Sequence, residues 1–150
     1  MVKFFYKKFK ELTTAELHDI FALRAEVFVV EQDCVYQDID GKDQASIHVL
    51  GVEEGKIIAY ARILERGLSY KGHSAIGRIV VSESFRSRKI GHKLVAFTIE
   101  ATKKTYPKTP IKISAQAHLK FFYKEHKFQI TGQPYLEDGI PHVGMVLLEC

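Results

Sequence analysis

The chain has little of what would commit it to a membrane, a secretory route or a metal. Its longest uninterrupted apolar run is Ile57 to Ala61, five residues, whereas a membrane-spanning helix needs about 20. A transmembrane helix is therefore excluded and no membrane partner is expected. There are only two cysteines, Cys34 in an acidic stretch and Cys150 at the end. That is too few for the disulfide framework of a secreted scaffold and favours a reducing, cytoplasmic setting. The N-terminal MVKFFYKKFK is basic, but its apolar stretch Phe4-Phe5-Tyr6 is too short for a signal peptide and no small-residue cleavage site follows, so export is not expected. Seven histidines and two cysteines show no H-x-x-x-H or C-x-x-C spacing, and no metal site is expected. Ser82 and Ser114 lack a nucleophile-elbow context, which argues against a hydrolase triad. No catalytic cysteine pattern, internal repeat or low-complexity segment is present.

What is there reads as one globular domain over residues 1–150, with 46% hydrophobic and 27% charged residues. A chain of this size buries roughly 70% of its unfolded surface and needs neither disulfides nor a structural metal to hold a core. The net charge of +4 says little until it is divided. Residues 1–75 carry 10 Lys and Arg against 12 Asp and Glu, net −2, and residues 76–150 carry 12 against 6, net +6. Glu31, Asp33, Asp38, Asp40 and Asp43 are offset within their stretch only by Lys42. Arg86, Arg88, Lys89 and Lys93 fall within eight residues that hold no acid. The two halves are suited to different partners.

Residues 2–9, rich in Phe, Tyr and Lys, read as an opening strand. From Thr13 or Thr14, with Glu16 completing a loose capping box, Leu17, Ile20, Phe21, Leu23, Val27 and Phe28 recur at helical spacing, and Glu31 and Gln32 end this first helix. Residues 31–45 read as a loop or short irregular helix, long enough to be functional. Ser46 to Val52 and Lys56 to Leu64 form a hairpin around Glu53-Glu54-Gly55. Ala75 to Ser82 is a near-continuous β-branched run of the kind found in a central strand. A helix with Ile90, Leu94, Val95, Thr98, Ile99 and Ala101 on one face begins near Arg88 and stops at Pro107. Pro110 to Ala117 alternates as a strand, Leu119, Phe122, Tyr123 and His126 share one face of a short helix, and Phe128 to Ile130 and Val143 to Leu148 supply the last strands. This order is α/β with a mixed sheet.

A strand ending at Ser82 with a helix starting near Arg88 aims the unpaired amides and positive dipole end of that helix beyond the strand, where a phosphate can sit. Arg86, Arg88, Lys89 and Lys93 add cations, and Gly91 would let a ligand approach closely. On spacing alone, a solvated basic face on an ordinary helix, with Gly91 incidental, has equal standing.

The stretch IGRIVVSESFRSRKIGHKL resembles motif A of the GNAT acetyltransferases, Gln or Arg, two residues, Gly, one residue, Gly or Ala: Arg86 and Gly91 fit, and Lys89 stands where the first glycine belongs. RAEVFVVEQ (24–32), YQDIDGKD (36–43), AYARIL (59–64), AQAHL with FFYKEHKF (115–128) and YLEDGIPHVGM (135–145) together resemble the ElaA family of bacterial GNAT proteins, in order from about residue 13 to 148. The resemblance implies a single-domain GNAT fold, a mixed sheet of about six to seven strands splayed near the middle and flanked by about four helices. It implies an N-acetyltransferase with acetyl-CoA as co-substrate, no metal, and a small-molecule or peptide amine as acceptor; a homodimer is allowed for and nucleic acid is not expected.

By similarity, acetyl-CoA would lie along Ile79, Val80 and Val81. The amide of Ile79 would polarise the thioester carbonyl, Val81 would pair with the pantetheine arm, and the diphosphate would take the turn from Arg86 through Ser87, Arg88, Lys89, Ile90 and Gly91 to His92. Tyr123 falls where many family members protonate the departing thiolate, and a phenol of pKa near 10 has a basicity close to that of the thiolate; alone, a tyrosine at this spacing would read as core. The amine must lose a proton before attack, and Glu31, His48 and His142 are the candidate bases. His48, between Ile47 and Val49, also reads as a satisfied core histidine. Acceptor contacts are expected from Gln32, Asp38, Asp40, Arg78 and His142. Arg78 could equally be a buried ion-pair partner of a loop acid, and the loop acids could be local caps.

Two other readings follow from the residues. Arg24-x-x-x-Phe28 before an acidic segment is similar to the N-terminal signature of acyl-homoserine lactone synthases, which share the GNAT fold and take acyl carrier protein. A nucleic-acid-binding module would use Arg86, Arg88, Lys89, Lys93, Lys103, Lys104 and Lys108.

Overall fold

The computed structural model describes residues 1–148; Cys150 lies outside them. Seven strands, β1 (Lys3–Lys8), β2 (Ile47–Glu53), β3 (Lys56–Leu64), β4 (Ser74–Val81), β5 (Ile111–Gln116), β6 (Gln129–Glu137) and β7 (Ile140–Leu147), form one sheet in the order β1-β2-β3-β4-β5-β7-β6. Every neighbouring pair is antiparallel except β4 and β5, which run parallel and share only two register pairs, Ser74 with Ile111 and Ala75 with Lys112. Beyond them the two strands diverge, so the splay expected in the middle of the sheet is present. The last hairpin is longer than the apolar pattern suggested. β6 continues to Glu137 and turns at Asp138 and Gly139, both at positive φ; every residue of this edge strand is exposed, which is why it carries no apolar alternation.

Helices cover both faces. α1 (Thr14–Arg24) starts at Thr13, whose hydroxyl accepts from the Glu16 amide while the Glu16 carboxylate accepts from the Thr13 amide, the reciprocal capping box that satisfies two end groups at once. Ile20 and Leu23 from this helix pack with Leu50, Tyr60 and Val80. α2 (Ile90–Thr105) lays Ile90, Leu94, Val95 and Ile99 on the opposite face, against Val49, Ala59, Ala61 and Ile76. Its buried Thr98 and Thr102 hydroxyls donate to the carbonyls of Leu94 and Thr98 at 2.7 Å, so neither is left unsatisfied. α3 (Lys120–Glu125) is short and follows β5. Among the described residues no helix is long and apolar enough to cross a membrane.

Strand parity explains one feature of β4. Ile76 pairs with Ile63 on the α2 face, yet Val80, four residues on, pairs with Tyr60 on the α1 face. Successive side chains alternate, so residues four apart should share a face. The register slips between Tyr60 and Arg62: Arg78 and Ile79 stand opposite Ala61 alone, with Arg78 at φ +51°. This β-bulge inserts one residue, flips the faces and bends the strand.

The first helix does not simply continue past Arg24. Residues Ala25–Glu31 widen into a π-helical turn, with the amides of Gln32 and Cys34 reaching back to the carbonyls of Val27 and Val29 at 3.1 Å. Arg24 sits at the junction, fully buried, where its guanidinium donates to Asp38 at 2.8 Å and to Asp43 at 2.6 Å. Removing one partner of a buried ion pair leaves an uncompensated charge. Arg24→Met is therefore expected to lower the unfolding free energy in urea by about 3–5 kcal/mol. A change under about 1 kcal/mol, the value of a surface pair, would contradict this.

Candidate active site

The divergence of β4 from β5 opens a cavity of about 940 Å³. Ile76 to Val81 form one wall, Ile113, Ser114 and Gln116 of β5 another, and the π-helical turn, the acidic loop, α3 and the β6–β7 turn close the rest. Sites for small molecules are commonly clefts of this size with few polar groups.

Of the residues singled out in the sequence, the fold brings Tyr123, Glu31, Gln32, Asp40, Arg78, Ile79, Val80, Val81, Arg86 and His142 to this cavity. Tyr123 is buried, with its ring edge-on to Phe122 and Phe128. Burial pushes its phenol up to about 12, so it holds its proton throughout the physiological range and is a weaker acid than the unperturbed value of about 10 suggested.

His48 is not brought there. It is fully buried between β1 and β3, with one ring nitrogen 2.6 Å from the Tyr60 hydroxyl and the other 2.9 Å from the Asp43 carbonyl. Burial is the largest influence on it and lowers its pKa. It is a satisfied core histidine, absent from the cavity wall although its strand neighbour Arg62 lines it, and the expectation that it serves as a base is corrected on that ground.

The acidic loop is an ion-pair network. Besides Arg24, Arg62 from β3 donates to Asp40 at 2.8 Å and Asp43 at 3.2 Å, and Arg78 from the bulge donates to the Asp38 carboxylate at 2.8 Å and its carbonyl at 2.9 Å. Arg78 also reaches Asp40 at 3.4 Å. Asp38, Asp40 and Asp43 thus face Arg24, Arg62 and Arg78, three charges against three. Burial pushes the Asp40 carboxyl up, but hydrogen bonds and charge from Arg62 outweigh it and hold the group well below the usual carboxylate range. Asp38 is itself buried and is absent from the cavity wall. This loop therefore does not present the free negative surface expected for an incoming amine.

The basic turn is also partnered. Arg86 donates from Nε to the Val81 carbonyl at 3.0 Å and from both other nitrogens to Glu31, at 2.5 and 2.8 Å. That fork holds the Glu31 carboxyl below its ordinary value. Arg88 clasps Glu53 with two bonds of 2.9 and 2.5 Å. Two of the seven cations of the nucleic-acid reading are thereby occupied.

The chain runs as a tight 3₁₀ turn over Glu83–Arg88, then through Lys89 at φ +57° into α2, two residues after the expected start. Lys89 takes the left-handed conformation in which a glycine is unstrained. A right-handed residue followed by a left-handed one turns successive amides to one side and makes an anion-binding nest. At Gly91 a Cβ would meet Phe122 at 3.6 Å, an ordinary contact, so protein packing does not demand glycine there. Ile90 is buried in the core, and His92 turns to α3, with Nδ1 3.0 Å from His126 Nε2.

Sequence reasoning did not single out Arg62 and gave Arg24 and Asp43 no part in an ion-pair network, although a lone arginine in an apolar helix or strand was the same signal that exposed Arg78. It also missed Ser114, Tyr135 and Glu137. Ser114 Oγ hydrogen-bonds the Tyr135 hydroxyl and donates to Glu137 at 3.0 Å. Among the described residues no group of three or more His, Cys, Asp or Glu stands where it could hold a metal ion.

The family model described as an acetyltransferase (GNAT) domain matches residues 11–149. ElaA of Escherichia coli K12 is 43% identical over 137 residues, which is 90% of this chain and 89% of that protein. The crystal structure of E. coli ElaA superposes with a TM-score of 0.91 at 40% identity, covering 97% of this chain and 99% of that one. An acyl-CoA N-acyltransferase from Pseudomonas aeruginosa matches with a TM-score of 0.92 at 38% identity and the same coverage. A GNAT family acetyltransferase from Elizabethkingia anophelis, solved with acetyl-CoA bound, shares the fold with a TM-score of 0.69 at 16% identity, over 99% of this chain and 98% of that one.

The buried groups fix how stability depends on pH. His48 and Asp40 both have lowered pKa values in the folded chain, so the stability each supplies is present above its unfolded pKa and is lost as pH falls. Melting temperature is expected to decline once pH drops below about 6.5, and more steeply below about 4. Calorimetry across that range checks it; a flat melting temperature down to about pH 5 would remove His48 from the account.

Proposed function

The chain belongs to the GNAT acetyltransferase family, in its ElaA group, and on that ground we propose that it transfers the acetyl group of acetyl-CoA to a primary amine by direct attack on the thioester. The observation that carries this reading is the splay of β4 from β5, two register pairs followed by divergence, with a bulge at Arg78–Ile79 facing the opening. A bulge takes backbone groups out of the ladder, and an amide freed there is the donor that a developing oxyanion needs.

Acetyl-CoA, as co-substrate, supplies an activated acyl group. The residues present fit it. Ile79 offers the amide to the thioester carbonyl, Val80 and Val81 offer a strand edge to the pantetheine arm, and the turn from Arg86 to His92 offers the nest and the start of α2 to the diphosphate. Lys89 serves there through its backbone, since its left-handed conformation reproduces what the motif's glycine provides. Tyr123 stands in the cavity with its proton held by burial and returns it to the departing thiolate. The phenol is about 12 against a thiol near 8.5, so this transfer runs together with loss of the far more acidic proton on the attacking nitrogen, which restores the tyrosine. Glu31 is a poor base while Arg86 holds it. The acceptor is a small-molecule or peptide amine. Arg24, the residue behind the lactone-synthase reading, has a structural task in the ion-pair network.

Acetyl-CoA at 100 times its dissociation constant stabilises by about 2.7 kcal/mol, which for a domain of this size raises the melting temperature by roughly 5–10 °C. No shift at millimolar acetyl-CoA would sink the proposal. Tyr123→Phe should lower kcat about 100-fold or more while the acetyl-CoA shift persists; undiminished thiol release with an accepted amine would take Tyr123 out of the mechanism.

A further inference from the structure

One end of the cavity has a polar cluster that none of these roles uses. His142 on β7 lies between Gln116 of β5 and Tyr135 of β6, with its side chain 8% exposed. Its Nδ1 is 2.7 Å from the Ile140 carbonyl. A carbonyl only accepts, so Nδ1 carries the hydrogen, and in the neutral ring Nε2 has the lone pair. Nε2 has no hydrogen-bond partner among the described residues and lies 3.6 Å from Glu137 Oε2, too far for a bond between them. A lone pair and a carboxylate oxygen facing each other across a gap are two acceptors waiting for a donor. The Tyr135 ring stacks on the imidazole at 6.2 Å, and Ser114 fixes the other Glu137 oxygen.

Two of the four acids lining the cavity are already held by arginines. Glu31 is held by Arg86, and Asp40 by Arg62 and Arg78. Glu137 has no arginine or lysine partner among the described residues. Other ionisable groups at or facing the cavity include Tyr135 beside His142, Asp138 in the turn, His118, Tyr70, whose charge interactions are with Tyr135 and Glu137, and Cys34, whose thiol donates to the Asp138 carbonyl at 3.4 Å.

We propose that Glu137 and His142 receive the acceptor as a primary ammonium and that His142 is its general base. This rests on the transferase reading above and specifies its acceptor: an amine that arrives protonated. The ammonium bridges Glu137 Oε2 and His142 Nε2, and its proton passes to Nε2. The imidazolium so formed pairs with Glu137, while Nδ1–H stays on the Ile140 carbonyl. The freed lone pair forms the C–N bond, the C–S bond breaks, Tyr123 gives its proton to sulfur, and the second nitrogen proton restores Tyr123. The balance is ammonium plus thioester giving amide, thiol and one proton, which His142 releases to solvent. The Glu137 carboxylate replaces the acidic loop as the source of cation attraction.

Thiol release from acetyl-CoA with a panel of small primary amines, followed from pH 6 to 10 in wild type, His142→Gln and Glu137→Gln, tests it. His142→Gln is expected to lose about 100-fold in kcat near neutral pH with the acetyl-CoA KM within about twofold. Its rate should then climb tenfold per pH unit toward the amine's own pKa, because only the spontaneously neutral amine can react, whereas the wild-type rate levels off earlier. Glu137→Gln, at a half-exposed position, should raise the amine KM at least tenfold with a smaller effect on kcat. A His142→Gln enzyme with unchanged kcat, or with a pH profile parallel to the wild type, overturns this assignment and leaves the transferase reading intact. A wild type that binds acetyl-CoA but releases thiol to no amine overturns both.

Discussion

Three arginines and three aspartates hold the functional half of the molecule together. Arg24 ends α1, Arg62 lies in β3 and Arg78 sits at the bulge of β4; Asp38, Asp40 and Asp43 come from a single loop. That loop has no apolar periodicity of its own, and besides these ion pairs it is tied down by single bonds such as those from His48 to the Asp43 carbonyl and from Lys42 to Ser69. The guanidiniums give it fixed points on a helix and two strands. Asp38 is shared between Arg24 and Arg78, and Asp43 between Arg24 and Arg62. Each charge therefore has more than one partner, the arrangement that makes burial of ionic groups tolerable. The network also accounts for the left-handed conformation at Arg78: the bulge that strains this residue places its guanidinium on Asp38.

The same bulge sets up the cavity. By inserting one residue it moves Val80 to the α1 face and Val81 to the α2 face, and the strand bends away from β5 after two paired residues. A fully laddered β4 would satisfy its amides internally and leave no opening. Loss of pairing at this one boundary opens a volume of about 940 Å³ and takes β4 backbone groups out of the ladder with β5. α3 then brings Tyr123 to the wall, where burial keeps the phenol protonated.

The division of charge along the chain has a different meaning in three dimensions. The acidic stretch is neutralised by arginines drawn from both halves, Arg78 among them. The basic turn gives two of its side chains to Glu31 and Glu53, so its proposed affinity for phosphate comes mainly from backbone amides. Glu137, in the half with net +6, is a cavity carboxylate with no cationic side chain on it among the described residues, which is why the proposed acceptor end is the β6–β7 hairpin and not the acidic loop.

Local pattern was enough for the elements themselves. The capping box at Thr13, the apolar faces of α1 and α2, the hairpin around Gly55 and the β-branched β4 are all encoded within a few residues of where they act, since helix and strand periods are short-range properties. The basic turn and Tyr123 were picked out by the family resemblance, because spacing alone left the turn open between a phosphate site and a solvated face and would have read Tyr123 as core. Tertiary structure alone decided the rest. Arg24 meets Asp43 across 19 positions and Arg78 meets Asp38 across 40, and no periodicity links such partners. His48 and His142 each follow an isoleucine or proline in a strand, yet one is enclosed between Tyr60 and Asp43 and the other faces the cavity beside Glu137. The π-helical turn and the bulge were invisible because one inserted residue leaves composition and apolar spacing almost unchanged. What a titratable side chain does depends on the charges and water within a few ångströms of it, and the fold alone sets those.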